Sequence, residues 1–475
     1  MQSSNQKANA FQSVIGIFLH STGTPERVIS ALSHMGICIA QTTIHAAINS
    51  LSDNAADGIR ELGQTLLAAY AYDNFDVDLK PSMPVVEKTN DTLRHMTSGL
   101  LFPLQHGATL QDLACSDELW QMSRLNPLNY RMTTPKKTYH HLLQLFRDPV
   151  GTPSVHYTFN VWVFLRDLIK YVEGFEYLNG QLEDPELLEA IPVEKTKIVP
   201  AYAMDVNNST VSGNIQAINH LLAQGGVGGP DDEDMVDISK CVIIVHGDLG
   251  TGKRIKSLLL RRSIEDRPWE RFQFVKFCPG LFHTKMACVD ALWRIFIKPI
   301  LARKDETSLI KDIAVIRAKQ TGSIISKCKF RQMHQVVQQV GAVRRLDCWR
   351  VALQNDFPSF TSLEEFAKSK PKLEDLKTMA ERLVENFVAD CKISAARLGP
   401  EDKRDEQFEN AAIMHQYFLL YEEFTFALNY GDIARFEKTL LPWILLFKAM
   451  GKHIYATEME QFLLDTHFAC PERLR

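Results

Sequence analysis

The sequence lacks the cysteine pattern of a disulfide-stapled or zinc-binding protein. Its nine cysteines are an odd number, and no two of them form a C-x-x-C pair. This argues against a disulfide framework and against a zinc finger, and it suits a reducing compartment. We therefore expect an intracellular protein that is not secreted.

Long apolar runs are also missing. The N-terminal MQSSNQKANAFQ is polar and gives no signal peptide, and runs such as LLPWILLF (Leu440–Phe447) are too short to span a bilayer. We expect no membrane partner. The net charge of −4 is not typical of a nucleic-acid-binding protein. A slightly negative protein can nevertheless carry a basic patch on one part of its surface. The 475 residues allow two or three domains, or one core with a large insertion.

Residues 11–55 predict a helical unit. Apolar residues recur at helical spacing in two runs that break at His34-Met35-Gly36, and Thr24 with Pro25 is typical of a helix start. Two short helices around a glycine turn fit a helix-turn-helix that contacts DNA, and they also fit a plain helical hairpin. The second run carries no Arg or Lys, which favours the hairpin.

A second helical stretch, 311–350, is strongly basic. Such a run is usually a solvated helix face, and it would also suit a nucleic-acid backbone. Its basic residues are Lys311, Arg317, Lys319, Lys327, Lys329, Arg331, Arg344, Arg345 and Arg350.

The stretch VIIVHGDLGTGKRIKSLLLRR (Val242–Arg262) predicts a buried strand, a glycine-rich turn and a basic helix. Gly247–Lys253 fits G-x-x-x-x-G-K, the loop that cradles phosphates in nucleotide-binding enzymes. Against a P-loop NTPase, Arg254 stands where a Mg²⁺-binding Ser or Thr belongs, and the chain is helical after about residue 281. In the alternative interpretation, Gly250 and Gly252 only permit a tight turn.

Three acids predict a different site. Asp73 and Asp248 each close an apolar strand, and Glu458 lies in the final helix. Strand end, strand end and helix is the layout of an RNase H-like site, where two ions about 4 Å apart drive phosphodiester chemistry. Carboxylates suit Mg²⁺ or Mn²⁺, which prefer oxygen ligands. Spacing alone also allows a turn residue, a helix cap and an exposed helix position.

The order of elements agrees with such a core. A short helix, Gly213–Gln224, with Ser212 or Thr210 as its cap, precedes the fourth strand, which ends at Asp248. The fifth predicted strand is Phe272–Phe277.

Several motifs resemble an uncharacterised protein family abundant in mushroom-forming fungi, a domain of unknown function related to DNA transposons. The resemblance covers almost the whole chain, and its longest motif is far more specific than a P-loop pattern. The motifs are FQSVIGIFLHSTGTPERVISALSHMGICIA near the start, YDNFD at 72–76, STVSGNIQAINHLL at 209–222, VHGDLGTGKRIKSLLLRRSIEDRPWERFQFVKFCPGLFHTKMACVDALWR at 245–294, RLDCWR at 345–350 and GKHIYATEM at 451–459.

The resemblance implies a transposase-like RNase H fold with a helical insertion, acting on DNA in the nucleus. It makes Asp73, Asp248 and Glu458 the catalytic, metal-binding residues, with Mg²⁺ or Mn²⁺ as cofactor. Asp76, Cys278 and His283 are secondary candidates, since some transposases keep a Cys/His pair after the second acid. Core packing is the alternative for that pair.

Basic residues on the helix after Asp248 are predicted to meet the DNA backbone; they are Arg254, Lys256, Arg261 and Arg262. The chain stops seventeen residues after Glu458 and begins almost at the helical unit. A truncated relic that binds DNA or protein without catalysis is therefore the competing hypothesis, and a P-loop NTPase is a weaker one.

We predict an α/β, helix-rich protein whose RNase H-like mixed sheet is interrupted by large helical insertions and preceded by a helix-turn-helix-like unit. The predicted parts are an N-terminal unit at 1–60, a core at 61–280 with an insertion at about 109–205, a second insertion at 281–445 and a terminal core helix at 446–475.

Overall fold

A computed structural model describes residues 9–78, 92–129, 136–300, 304–388, 393 and 395–475. The first eight residues of the polar N-terminus, as well as Cys391, lie outside these ranges. The chain divides into two compact units. Unit 1 comprises Met1–Thr133, Lys195–Cys278 and Pro471–Arg475, and unit 2 comprises Thr134–Glu194 and Pro279–Cys470. The division of the chain into the four parts 1–60, 61–280, 281–445 and 446–475 stays a prediction.

Unit 1 is built on a mixed five-stranded sheet in the order β3-β2-β1-β6-β7, with a separate two-stranded pair, β4-β5. The strands are β1 Ala68–Asp78, β2 Leu93–Pro103, β3 Val199–Pro200, β4 Val227–Gly228, β5 Val236–Asp237, β6 Ile243–Gly247 and β7 Val275–Pro279. β1 runs antiparallel to β2 and parallel to β6. The predicted α/β class with a mixed sheet is confirmed.

Two strand boundaries differ from the prediction. Asp73 does not end its strand, because β1 stays paired with β2 from Ala68↔Pro103 as far as Asp78↔Leu93. The last strand begins at Val275 rather than Phe272, since Pro268–Arg271 forms a short helix. Phe272 then ends this helix with a left-handed backbone, at φ 55°.

Three helices form the N-terminal part of unit 1, and the other helices of this unit lie between or after the strands along the chain. The helices of unit 1 are α1 Ala10–Ser21, α2 Glu26–His34, α3 Gln41–Gln64, α4 Leu110–Leu113, α5 Ser116–Met122, α8 Val211–Gln224, α9 Leu249–Arg262 and α10 Pro268–Arg271. α2 starts after Pro25, as predicted. α3 is a long helix of 24 residues, and it packs against α8 and β2.

The core of unit 1 lies between the sheet and the helices α8 and α9. Tyr70 and Tyr72 of β1, Val245 of β6, Leu221 of α8 and Leu258 of α9 are all buried there. Alternation explains this arrangement, because every second residue of a strand points to the same face. That face is therefore apolar, and residues such as Asp73 belong to the other one.

Unit 2 is helical, as the sequence after residue 281 predicted. Its helices are α6 Tyr139–Leu145, α7 Val155–Tyr171, α11 Leu281–Phe296, α12 Leu309–Ile316, α13 Thr321–Lys327, α14 Phe330–Asp356, α15 Leu363–Lys368, α16 Leu373–Leu383, α17 Glu406–Tyr430, α18 Ile433–Ala449 and α19 His453–Phe468. Phe164 of α7, Trp349 of α14 and Leu419 of α17 lie in its main apolar core. Among the helices of the described ranges, none is long and apolar enough to cross a membrane.

The basic stretch 311–350 is not simply a solvated face. Arg345 is fully buried, and its Nη2 lies 2.6 Å from Asp167 Oδ2 and 2.8 Å from Glu422 Oε1. The expectation of a solvated face is wrong for this residue, because α7 and α17 each bring a carboxylate to its guanidinium. Arg350, one turn further along α14, is exposed and pairs with Asp347.

Candidate functional site

The parallel pairing of β1 with β6 ends two residues before Asp73 and Asp248. The register aligns Tyr70 with Val245 and Ala71 with His246. If this register is continued by two residues on each strand, Asp73 is level with Asp248, which directly follows β6. Side chains alternate along a strand, so Asp73 points to the face opposite Tyr72, whereas Asp248 acts on the pKa of Tyr72 and lies on the Tyr72 side. That the two carboxylates form one site stays a prediction.

Asp73 is exposed on the part of β1 that runs beyond β6. Its Oδ1 accepts a 2.8 Å hydrogen bond from the backbone N–H of Asn74. Asp76, a secondary candidate, lies three residues on and therefore on the other face of the strand. It is paired with His95 of β2 at 2.7 Å, and both side chains are more than half exposed.

Asp248 is the residue that caps helix α9. Its backbone is extended, with φ −73° and ψ 171°, and its Oδ1 accepts a 2.7 Å hydrogen bond from the backbone N–H of Thr251. A carboxylate at this position satisfies one of the unpaired N–H groups of the first helical turn and complements the helix dipole. Asp248 is therefore a helix cap, as the alternative interpretation predicted. The capping hydrogen bond uses Oδ1 and does not involve Oδ2.

The glycines after Asp248 do not form a phosphate-cradling loop. Only Asp248 separates β6 from α9, so residues 249–253 are already helical. A Cβ on Gly252 would lie 2.7 Å from Cζ of Phe277. Gly252 is thus explained by the close approach of α9 to β7, and the predicted tight turn at Gly250 and Gly252 is wrong. No backbone here wraps a phosphate chain, so the P-loop alternative gains no support.

A chain of polar contacts links β1, α8 and α9 beside Asp248. The hydroxyl of Tyr72 donates a 2.8 Å hydrogen bond to Oδ1 of Asn214, and Nε of Arg254 donates a 2.8 Å hydrogen bond to the carbonyl of Ser209. Burial raises the pKa of Tyr72, while Arg254 lowers it and Asp248 raises it, so all three groups are close.

Sequence reasoning missed Tyr72 and Asn214 as site residues. Two features of the sequence could have indicated them. Tyr72 directly precedes Asp73, and Asn214 is a polar residue on the buried face of the predicted helix Gly213–Gln224. The helix itself was predicted almost correctly, because α8 spans Val211–Gln224 and Thr210 caps it through the backbone N–H of Gly213.

The four predicted DNA-contacting residues of α9 differ in their surroundings. Arg254 is half-buried and hydrogen-bonded to Ser209. Arg262 forms an ion pair with Glu265, three residues further along the chain, with 3.0 Å between Nη1 and Oε1. Lys256 and Arg261 are exposed. Their role in DNA binding stays a prediction.

The remaining candidates lie apart from these residues in the chain. Glu458 is half-buried on α19, within unit 2, and its membership of a site with Asp73 and Asp248 stays a prediction. Burial raises the pKa of Cys278, in β7, to about 12, with Lys276 lowering it, so this thiol is neutral near pH 7. His283 lies in the first turn of α11 and contacts the ring of Phe282.

The residues that the structure describes form no metal-binding cluster. Those residues contain no group of three or more His, Cys, Asp or Glu side chains that could hold a metal ion.

Comparisons with known proteins give one family and one distant structure. No protein with a curated description matches the chain. A Drosophila P element transposase strand transfer complex is similar over 98% of this chain and 92% of that one, with 10% sequence identity and a TM-score of 0.28. Residues 138–475 match the model of a family of unknown function, DUF6589. The chain belongs to this family.

Proposed function

We propose that this chain is a transposase-like, divalent-metal-dependent DNA strand-cleaving or strand-transferring protein with an RNase H-like core in unit 1. The observation that supports the proposal is the β1–β6 register, which pairs Tyr70 with Val245 and Ala71 with His246 and, continued by two residues, makes Asp73 level with Asp248. Glu458 is the proposed third ligand. A transposon-derived protein of this kind would act in the nucleus.

The order of elements in unit 1 supports the proposal. β1, β2 and β3 form an antiparallel series, and β6 lies on the other side of β1 and parallel to it. Between β3 and β6 the chain forms α8, and between β6 and β7 it forms α9. Three antiparallel strands followed by helix, strand, helix and strand is the arrangement expected of an RNase H-like core.

The donor atoms at the site suit Mg²⁺ or Mn²⁺. Both aligned side chains are carboxylates, and hard divalent cations prefer oxygen ligands. Each carboxylate uses Oδ1 for a backbone N–H, to Asn74 or to Thr251, which fixes its orientation and leaves Oδ2 for another partner. With Glu458 these side chains would hold the ions.

The ions, when bound, would activate the attacking oxygen and stabilise the leaving oxygen of a phosphodiester. The chain's own contribution is to orient the carboxylates through β1, β6 and the cap of α9. The basic residues of α9 would hold the DNA backbone by charge-assisted hydrogen bonds. They are Arg254, Lys256, Arg261 and Arg262.

The second candidate function is DNA binding without catalysis. One observation favours it: α9 carries the exposed cations Lys256 and Arg261. In this case the basic helix would act alone, through salt-dependent contacts with phosphates.

Nicking of supercoiled plasmid in Mn²⁺ tests the proposal. We expect the wild-type chain to cut, and Asp73→Asn, Asp248→Asn and Glu458→Gln each to lower the rate by about 100-fold or more, because each removes a metal ligand. Asp76→Asn is the matched control. It removes a carboxylate from the same strand, but one that faces His95, and we expect it to retain activity.

Three results would count against the proposal. A wild-type chain that binds the plasmid without cutting it would establish the non-catalytic alternative. Cutting that survives Asp248→Asn would exclude this site as its source. Loss of activity in Asp76→Asn equal to that in Asp73→Asn would mean that general disruption of β1, rather than metal binding, explains the effect.

A further inference from the structure

A long stretch of unit 2 carries cations without acids. Between Asp312 and Asp347 the sequence contains no Asp or Glu. Arg344 and Arg345 of this stretch have ion-pair partners, whereas its exposed cations pair with no carboxylate of the described residues. These exposed cations are Lys319, Lys327, Lys329 and Arg331. Their charges repel one another, and a polyanion bound beside them would remove that repulsion.

Three of these cations flank the start of α14. Lys327 is the last residue of α13, Lys329 directly precedes α14, and Arg331 is its second residue. The first turn of α14 contains no acidic residue, although acids normally balance the partial positive charge at this end of a helix. The placement is therefore unfavourable for the folded chain alone, and it becomes favourable when the surface binds an anion.

A cluster of aromatic rings lies beside these cations. α11 packs against α14 and brings the ring of Phe282 to 5.1 Å from that of Phe330, with an angle of 77° between the two planes. Phe330 stacks on His334 at 5.9 Å and 18°, and Nδ1 of His334 is hydrogen-bonded to the hydroxyl of Tyr421 at 2.9 Å. The inner rings are thus held in place, whereas Phe282 is 58% exposed. Met286, one turn later on α11, is exposed as well.

α11 adds a further cation and no free acid to this cluster. Burial and Lys285 both lower the pKa of His334, so the ammonium of Lys285 lies near the imidazole, which is neutral near pH 7. The one acid in the sequence of α11, Asp290, pairs with Arg294 and Lys452. Neutral rings and positive charges from two helices therefore meet on one surface.

We propose that α11 and α14 form a surface that binds an unpaired DNA strand. A base stacks on the ring of Phe282, and the phosphates on either side of it meet the exposed cations, because single-stranded nucleic acids are bound by combining aromatic rings with positive charge. This α11–α14 surface consists of Phe282, Phe330, His334, Lys327, Lys329 and Arg331.

Other anions match the α11–α14 surface less well. An acidic peptide would satisfy the cations but gives no reason for an exposed ring beside them. A DNA duplex keeps the faces of its bases inside its own stack, so it could use the cations alone. The inference goes beyond the proposed function, since it needs neither a metal ion nor cleavage.

Fluorescence anisotropy of a labelled oligothymidylate tests the role of Phe282. The full chain is used in EDTA, so that no metal ion contributes. We expect Phe282→Ala to weaken binding of the single strand by about tenfold, because stacking of a base is lost, and to leave binding of the annealed duplex nearly unchanged. Phe408→Ala is the matched control. This ring is also exposed in unit 2, at 41%, but it lies between Glu406 and Glu409 in the sequence.

The dependence of binding on salt tests the cations. Lys329→Gln should reduce the slope of log Kd against log salt concentration by about 0.7, the value for one phosphate contact with a single strand. Lys377→Gln is the control, because this exposed lysine of α16 follows Glu374 and Asp375 in the sequence. Its slope should equal that of the wild-type chain. Equal slopes in the two variants would overturn the role of Lys329.

Two further variants separate stacking from general apolar contact and from misfolding. Phe282→Trp keeps an aromatic ring, so it should bind the single strand like the wild-type chain, and the bound strand should quench the added indole fluorescence. Phe282→Leu keeps an apolar side chain without a ring and should behave like Phe282→Ala. Wild-type affinity in Phe282→Leu, or an unquenched indole in Phe282→Trp, would overturn stacking.

Three other results would overturn the inference. They are a wild-type chain that does not bind the single strand, a Phe282→Ala variant that weakens duplex and single strand equally, and tighter binding of oligouridylate than of oligothymidylate, which would make RNA the ligand. The proposed function fails separately. A chain that does not nick plasmid can still show binding that depends on Phe282, and a chain that nicks plasmid can lack it.

Discussion

Gly252 of α9 lies directly against the ring of Phe277 of β7, so that a methyl group on it would approach Cζ to 2.7 Å and Cδ1 to 2.8 Å. Gly252 is buried and Phe277 is half-buried in unit 1, so a methyl group on Gly252 would have to displace the ring. We predict that Gly252→Ala lowers the free energy of unfolding by about 1–3 kcal/mol, the usual cost of overpacking a core.

Urea denaturation with Gly58→Ala as the control checks this prediction. Gly58 lies inside α3, and a Cβ there would make an ordinary contact of 3.5 Å with Val199. Alanine favours the helix at such a site by up to about 1 kcal/mol. If Gly252→Ala also stabilised the protein, the close approach of α9 to β7 would be contradicted.

Because Arg345 is fully buried, we predict that replacing it with Ala strongly destabilises unit 2. Replacing it with Ala removes the fully buried cation between Asp167 and Glu422 and leaves them only the partly exposed Arg166 as a shared partner; breaking a buried ion pair in this way costs about 3–5 kcal/mol. Arg350→Ala, on the same helix, removes an exposed ion pair with Asp347 and should cost less than about 1 kcal/mol. Equal melting temperatures for the two variants would refute the buried network.

Because His415 is buried, we predict that the folded protein loses stability at acid pH. Burial, together with Arg344 and Arg345, lowers its pKa to about 3, whereas an unfolded histidine titrates near pH 6.5. The unfolded chain therefore takes up a proton that folded His415 does not. The stability that this group contributes is complete above pH ~6.5 and is lost as the pH falls toward the folded pKa of about 3.

Melting temperatures between pH ~7 and pH ~4 test the effect of His415. We expect His415→Gln to make the decline toward low pH shallower than in the wild-type chain, although the variant starts from a lower stability. His453→Gln, a change at the exposed start of α19, should keep the wild-type slope. An unchanged slope in His415→Gln would show that the side chain is not buried as described.

Local patterns predicted much of the fold. The strand before Asp248, the helix after it and the helix ending at Gln224 were all found because alternation, caps and helical spacing depend on neighbouring residues. The full length of β1 was not found, because Asp73 to Asp78 are held as a strand by pairing with β2. Polar residues at these positions gave no sign of that partner.

The site was harder to predict than the fold. The hydrogen bond from Tyr72 to Asn214 joins residues 142 positions apart in the chain, and nothing in either segment marks the other. Arg345 looked like one member of a basic helix face, since only the folded chain reveals that Asp167 and Glu422 surround it. Such contacts depend on tertiary packing, which a single sequence does not encode in a readable pattern.

We propose that Asp73, Asp248 and Glu458 share one divalent-metal site. Fe²⁺, added with ascorbate and peroxide in place of Mg²⁺, cuts a polypeptide next to the bound ion, and mass spectrometry locates the cuts. The account predicts cuts beside all three residues, suppressed by excess Mg²⁺ and lost in Asp248→Asn. Cuts beside Asp73 and Asp248 without one beside Glu458, or no localised cuts at all, would contradict it.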